Sequence, residues 1–221
     1  MTRTVVFDLD GTLADTSGDL LAAANACFRG MGHGDLLTEA DTLTAFHGGR
    51  AMLRLGFSRL GDWTEADVDA QYPLLLQAYR QDIDSRTRLY PGAIAAVETL
   101  RSQGFAVSIC TNKPEALAQL LLQRLGVRDL FGALVGADTL PTRKPDPAPY
   151  ATMMRRFGIN PARAAMVEDL HRNLAPAAAA GMTTVWVRTD SEYSQPDPST
   201  HVHPGDHVHH VITDVEAWLA D

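Results

Sequence analysis

Phe105-Ala106-Val107-Ser108-Ile109-Cys110-Thr111-Asn112-Lys113-Pro114 packs an apolar strand, a polar turn and the start of a helix into one short run. Phe105 to Cys110 is an apolar segment broken only by Ser108 and ended by turn residues, the pattern of a buried strand. Pro114 suits the first turn of a helix, and Leu117, Leu120, Leu121 and Leu125 give that helix an apolar face. The same rhythm continues toward the C-terminus. Ala133 to Gly136 reads as a strand, and a Pro-rich loop leads to a helix with Tyr150, Met153, Met154 and Phe157 on one face. Then come a strand from Ala164 to Val167, a helix through Asn173 to Ala180 and a strand from Thr183 to Val187. Upstream, Tyr90-Pro91-Gly92 opens a helix carrying Ile94, Val97 and Leu100. Alternating strands and helices predict a parallel sheet covered by helices on both faces, with right-handed crossovers.

Further upstream the pattern changes. Thr4 to Phe7 is a β-branched apolar strand, but no convincing strand follows between residues 15 and 85. Leu20, Leu21, Ala24, Cys27 and Phe28 fall at helical spacing, and Gly30, Gly32 and Gly34 end that helix. Thr38-Glu39-Ala40-Asp41 and Thr64-Glu65-Ala66-Asp67 resemble capping boxes with Asp in place of Glu, and introduce helical stretches at about 39–60 and 65–82. The expected organisation is a Rossmann-like α/β core from residues 1–14 and 86–221, interrupted after its first strand by an all-helical insertion at 15–85. Residues 190–206 read as a surface loop, Val208 to Ile212 as a last strand, and Thr213 as the opening of a final helix.

The net charge is −8, which disfavours a nucleic-acid or membrane-surface partner but leaves room for a locally basic site taking an anionic small molecule. Cys27 and Cys110 lie in apolar segments and are expected to be buried thiols rather than a disulfide. The first strand follows Met1 too closely for a signal peptide, and no apolar run reaches spanning length, so a cytoplasmic protein is expected. Monomer and homodimer are both compatible with the sequence.

Four polar clusters directly follow predicted strands, where ligands bind in open parallel sheets. In Asp8-Leu9-Asp10-Gly11-Thr12, residues two apart in an extended segment point the same way, so Asp8 and Asp10 share a side. Their repulsion calls for a hard, oxygen-preferring cation. Thr111-Asn112-Lys113 offers a hydroxyl and backbone N–H groups at a helix start, a setting that favours anions. In Lys144-Pro145-Asp146-Pro147, the prolines stiffen a loop that can fix an ammonium beside a phosphoryl group. Glu168-Asp169 ends an apolar strand with two acids, which is costly unless they bind a cation or cap a helix.

In this order, the clusters strongly resemble the haloacid dehalogenase-like hydrolase superfamily, through Asp8, Asp10, Gly11, Thr12, Thr111, Lys144, Glu168 and Asp169. The helical insertion matches that superfamily's small cap. Asp8 to Thr16 (DLDGTLADT), Thr111 to Pro114, Gly136-Ala137-Asp138 and Lys144 to Pro147 look most like the phosphoglycolate phosphatases. Glu168-Asp169-Leu170 and Asn173 depart from their usual Gly-Asp-Ser and later Asp. That stretch, with Gly181 to Val187 and His207 to Leu219, is closer to the pyrimidine 5′-nucleotidases.

The resemblance implies a magnesium-dependent phosphatase acting on a small phosphate monoester. Asp8 would be the nucleophile forming an aspartyl phosphate, and Asp10 the general acid and base. Thr111 and Lys144 would hold phosphoryl oxygens, and Gly11, Thr12 and Asn112 fall to phosphate binding. Mg2+ would be held by Asp8, the Asp10 carbonyl and Asp169, with Glu168 direct or through water. Asp10 also argues against a dehalogenase, which has no leaving alkoxide to protonate. The candidate cap contacts are His47, Gly48, Gly49 and Arg50, with Arg50 able to pair with a substrate carboxylate. A pyrimidine 5′-nucleotidase and a phosphomutase remain alternatives, and a non-catalytic partner protein is disfavoured by the intact acids. His201, His203, His207, His209 and His210 read as exposed strand residues rather than a metal site, and Trp186 and Trp218 as packing.

Overall fold

In the computed structural model, which describes residues 3–187, the run Thr4–Phe7 is a strand (β1) buried along its whole length. Burial on both faces belongs to a central strand of a parallel sheet. A short strand, Ala14–Asp15 (β2), leads to helices Ser17–Gly30 (α1), Gly49–Ser58 (α2) and Glu65–Gln81 (α3), and the chain returns through Arg88–Leu89 (β3), which pairs with β2. Helices and strands then alternate: Ala93–Ser102 (α4), Ala106–Cys110 (β4), Glu115–Arg124 (α5), Ala133–Val135 (β5), Ala148–Phe157 (α6), Ala164–Glu168 (β6), Leu174–Ala179 (α7) and Thr183–Trp186 (β7).

The main sheet has the order β5-β4-β1-β6-β7, and all its neighbours are parallel. The α/β, Rossmann-like core is therefore as the sequence predicts. From β1 the strand order runs to β4 and β5 on one side and to β6 and β7 on the other, so a crevice opens at the carboxyl end of β1. Phe7 is level with Ile109 and with Val167, so the polar residues just after these positions emerge on one edge. Beneath them, Val6, Cys110, Val135 and Met166 pack with Tyr150 and Met153 of α6 and Ala177 of α7.

The described residues up to Ala14 and from Leu89 onward form one compact unit, and Asp15–Arg88 form another. The division at Arg88 has a local cause. The buried Asp19 carboxylate of α1 accepts the backbone N–H groups of Arg86 and Thr87 at 2.9 and 2.8 Å, and the Thr87 hydroxyl at 2.9 Å. This ties the returning segment to the helical unit through Thr87.

Both capping boxes form: the N–H groups of Thr38 and Thr64 each donate to the following Asp41 and Asp67 carboxylates at 2.7 Å. The helix expected at about 39–60 is interrupted, however. Glu39–His47 is a 3-10 helix that ends at Gly48, whose φ of 91° lies in the region that glycine alone enters cheaply, and α2 starts anew. Cys27 and Cys110 are buried free thiols. No helix among the described residues is long and apolar enough to cross a membrane. The expected loop at 190–206, last strand, C-terminal helix, histidine-rich stretch and Trp218 lie outside the described residues.

The loop after β5 is wedged against the start of α5. A Cβ on Gly136 would sit 2.5 Å from the Glu115 N and Cα atoms. Those atoms are backbone and cannot step aside. Gly136→Ala is expected to destabilise the protein by about 3 kcal/mol, measured by urea unfolding.

Candidate active site

Asp8 is the first residue past β1, and its N–H donates to the Val167 carbonyl at 2.9 Å, fixing it against β6. The chain then doubles back. The Leu9 carbonyl accepts the N–H groups of Leu13 and Ala14 at 3.0 and 3.1 Å, and Gly11 takes a φ of 84°. This tight turn carries Asp10. Across the crevice, Glu168 is the last residue of β6 and is completely buried, with Asp169 next to it, also buried. One carboxylate oxygen from each of Asp8, Glu168 and Asp169 lies within 4.8 Å of the other two.

Lys144 enters this cluster from the loop between β5 and α6. Its ammonium is 2.5 Å from Glu168 Oε2 and 3.1 Å from Asp8 Oδ1, and its side chain is 1% exposed. The contact with Asp8 is an ion pair without hydrogen-bond geometry, so Asp8 Oδ1 remains a buried oxygen with no hydrogen-bond donor. The Lys144–Pro145 peptide is cis. The Asn112 side-chain amide donates to the Lys144 carbonyl at 2.9 Å, so its donor holds the lysine loop. Thr111 is buried, and its hydroxyl oxygen accepts the Lys113 N–H at 3.2 Å. Thr12 donates its hydroxyl to Asp169 Oδ1 at 3.0 Å. Arg50 belongs to the helical unit, where its guanidinium pairs with Asp69 at 2.5 Å and lies 4.4 Å over the Tyr72 ring.

The charges in the cluster do not balance. Three buried carboxylates face one buried ammonium. Burial, with Glu168 as the next cause, pushes the Asp8 carboxyl up to about 7. Burial, followed by Asp8 and Glu168, also raises Asp169 well above the ordinary carboxylate range, against the pull of the Thr12 hydroxyl. Burial alone would lower Lys144, but Asp8 and Glu168 outweigh it and keep it a cation. A hard divalent cation fits this donor set: the ligands are all oxygen, the charge deficit is negative, and Asp8 Oδ1 lacks a donor.

The sequence profile of the haloacid dehalogenase-like hydrolases matches residues 5–187, which include every one of these acids. This chain belongs to the haloacid dehalogenase-like hydrolase family. Its similar relatives include a phosphoglycolate phosphatase of Xanthomonas campestris pv. campestris (strain 8004), 36% identical over 183 residues, covering 83% of this chain and 81% of the relative. A phosphoglycolate phosphatase of Mesorhizobium japonicum is 36% identical over 209 residues, covering 88% of both chains. Among solved structures, a predicted phosphoglycolate phosphatase from Haemophilus somnus superposes with a TM-score of 0.73 at 26% identity, covering 84% of each chain. CbbY from Rhodobacter sphaeroides, crystallised with phosphate, shares the fold with a TM-score of 0.75 at 19% identity, covering 95% of this chain and 96% of its own.

In this haloacid dehalogenase-like hydrolase, two side chains stand close to the acids without having been given a role by the sequence. Lys113 places its ammonium 2.8 Å from Asp10 Oδ1. It was visible as part of the Thr111-Asn112-Lys113 run, but its spacing gave no partner. Trp186, expected to be packing, donates its indole N–H to the Asp169 carbonyl at 2.9 Å while its ring meets His171 edge-on. It does so because β7 pairs with β6 and sets Trp186 opposite Glu168. Strand pairing cannot be read from local sequence, so no signal for this contact existed.

Proposed function

We propose that this hydrolase is a magnesium-dependent phosphatase that cleaves a small phosphate monoester of the phosphoglycolate kind through an aspartyl phosphate on Asp8. The observation that carries the proposal is the buried Asp8, Glu168 and Asp169 cluster with the Lys144 ammonium inside it. Relatives named phosphoglycolate phosphatase at 36% identity support the substrate class.

In this reading Asp8, Asp169 and the Asp10 carbonyl hold Mg2+, with Glu168 alongside. The bound ion supplies neutralisation of the non-bridging phosphoryl oxygens. Asp8 attacks phosphorus as the carboxylate. Lys144, kept cationic by its buried neighbours, and Thr111 hold phosphoryl oxygens, and the Asn112 backbone N–H offers a further donor. Asp10 gives a proton to the leaving oxygen and recovers one from the water that hydrolyses the intermediate. Positioning and charge stabilisation are most of what phosphoryl transfer needs. Gly11 allows the turn that presents Asp10. Thr12 and Asn112, expected at the phosphate, serve here by holding Asp169 and the Lys144 loop. Arg50 is the candidate partner for a substrate carboxylate. A cytoplasmic location and a monomeric or dimeric state complete the reading.

Phosphate release from a panel of small esters, with magnesium and with chelator, tests the proposal. Magnesium-dependent release favouring phosphoglycolate supports it. A preference for pyrimidine nucleotides would select the nucleotidase, and turnover only with a sugar bisphosphate activator the mutase. No release from any ester by folded protein would reject a phosphatase.

Thr12→Val keeps the side-chain shape but removes the hydroxyl that orients Asp169. It is expected to weaken magnesium affinity by about tenfold to a hundredfold, measured by titration calorimetry.

A further inference from the structure

Lys113 has a side chain only 5% exposed, and its ammonium is 2.8 Å from Asp10 Oδ1. A buried ammonium is costly without an anion, so each of the two groups constrains the other. The lysine end of the pair is firmly anchored. Its backbone N–H donates to the Thr111 hydroxyl oxygen at 3.2 Å, and its carbonyl accepts the Ala137 N–H at 2.9 Å. The loop carrying Ala137 is itself fixed to α5, because the Glu115 N–H donates to Asp138 at 2.7 Å and the Thr139 hydroxyl donates to the Glu115 carboxylate at 2.5 Å. The aspartate end lies on the turn after β1, where Asp10 is bridged to Ala14 and its side chain is 23% exposed.

From this geometry we infer that Lys113 is a positioning residue that aims the Asp10 carboxyl during both halves of the reaction. The inference rests on the proposed phosphatase mechanism. In the first half, the bond between phosphorus and the ester oxygen breaks as the Asp8 oxygen–phosphorus bond forms, and the departing oxygen leaves as an alcohol with the Asp10 proton. In the second half, water's oxygen bonds to phosphorus, the Asp8 oxygen–phosphorus bond breaks, and water's proton goes to Asp10. Both transfers need the carboxyl at a defined place. Lys113 contacts Asp10, the group that carries the proton.

The test compares wild type, Lys113→Met and Lys113→Arg as full chains with magnesium, on an alkyl phosphate and on p-nitrophenyl phosphate. The nitrophenolate leaves without a proton, so only the alkyl ester needs Asp10 in the first half. Rapid acid quench with radiolabelled ester measures the phosphoenzyme. In Lys113→Met, phosphoenzyme formation from the alkyl ester is expected to slow by about a hundredfold, while formation from the nitrophenyl ester changes by no more than about fivefold. Hydrolysis of the intermediate slows in both cases, so phosphoenzyme accumulates during nitrophenyl turnover. On the alkyl ester KM changes little against the fall in kcat, on the nitrophenyl ester KM falls together with kcat, and Lys113→Arg recovers about tenfold of the loss. Equal slowing of phosphoenzyme formation from both esters, or a kcat within about twofold of wild type, would overturn the inference. Should Lys113→Met fail to fold, the same partition measured on Lys113→Arg decides, because arginine keeps the charge but shifts its donors. No phosphoenzyme in the wild type would overturn the proposed mechanism itself, and this inference with it.

Discussion

Asp8→Asn is expected to reduce kcat by about 10^4-fold or more if Asp8 is the nucleophile as proposed, because the amide has nearly the same shape but cannot attack phosphorus. The protein should nevertheless fold, and in chelator at alkaline pH it should be more stable than wild type. Burial and Glu168 push the Asp8 carboxyl from 3.8 up to about 7. Between those values the folded state holds a proton that the unfolded state has released. The stability contributed by that proton is complete below about pH 4 and is lost as pH rises through about 7. Metal-free wild type should therefore lose melting temperature across this window, and Asp8→Asn should lack that part of the slope. Magnesium should act in the opposite sense, since in the proposed site it would be held by ionised carboxylates: its stabilising effect should be larger at about pH 8 than at about pH 5.5. Thermal melts with chelator and with magnesium check both signs.

Lys144→Met is expected to have the second largest effect, and in stability it should run opposite to Asp8→Asn. The methionine fills much of the same volume but leaves Asp8 and Glu168 without the ammonium that lies 3.1 and 2.5 Å away. Removing one partner of a buried pair costs about 3–5 kcal/mol, here measurable by urea unfolding in chelator. Loss of the cation proposed to face the phosphoryl group should lower kcat by about 10^3-fold in addition. Because the cost arises from uncompensated charge, the Asp8→Asn, Lys144→Met double variant should be more stable than Lys144→Met alone. A double-mutant cycle reads that coupling directly.

Local chemistry made much of this protein legible. The strand at Thr4–Phe7 is a β-branched apolar run, and the capping boxes at Thr38 and Thr64 depend on residues only three positions apart. The break at Gly48 was harder to read. His47-Gly48-Gly49-Arg50 marks a connection, but whether the preceding turn is α or 3-10 depends on packing. In the site, Asp8, Lys144, Glu168 and Asp169 could be gathered because each ends or directly follows a strand or sits in a proline-stiffened loop. Their supporting contacts could not. Thr12 meets Asp169 across 157 positions of chain, and Lys113 meets Asp10 across 103. Such distances close only once the order β5-β4-β1-β6-β7 is known.

The central position of β1 bears on how the molecule is made. Thr4 pairs with Ala106 on one side and with Ala164 on the other. As the polypeptide leaves the ribosome, β1 emerges first but has no partner until the helical unit has been synthesised, and no second partner until β6 appears. Both its edges stay unsatisfied until β4 appears and one of them until β6, a hazard for association with other nascent chains. Asp8 consequently gains its buried neighbours only late in synthesis, when Glu168 and Asp169 arrive. A chain truncated before β6 would carry Asp8, the proposed nucleophile, but lack the strand that completes its setting.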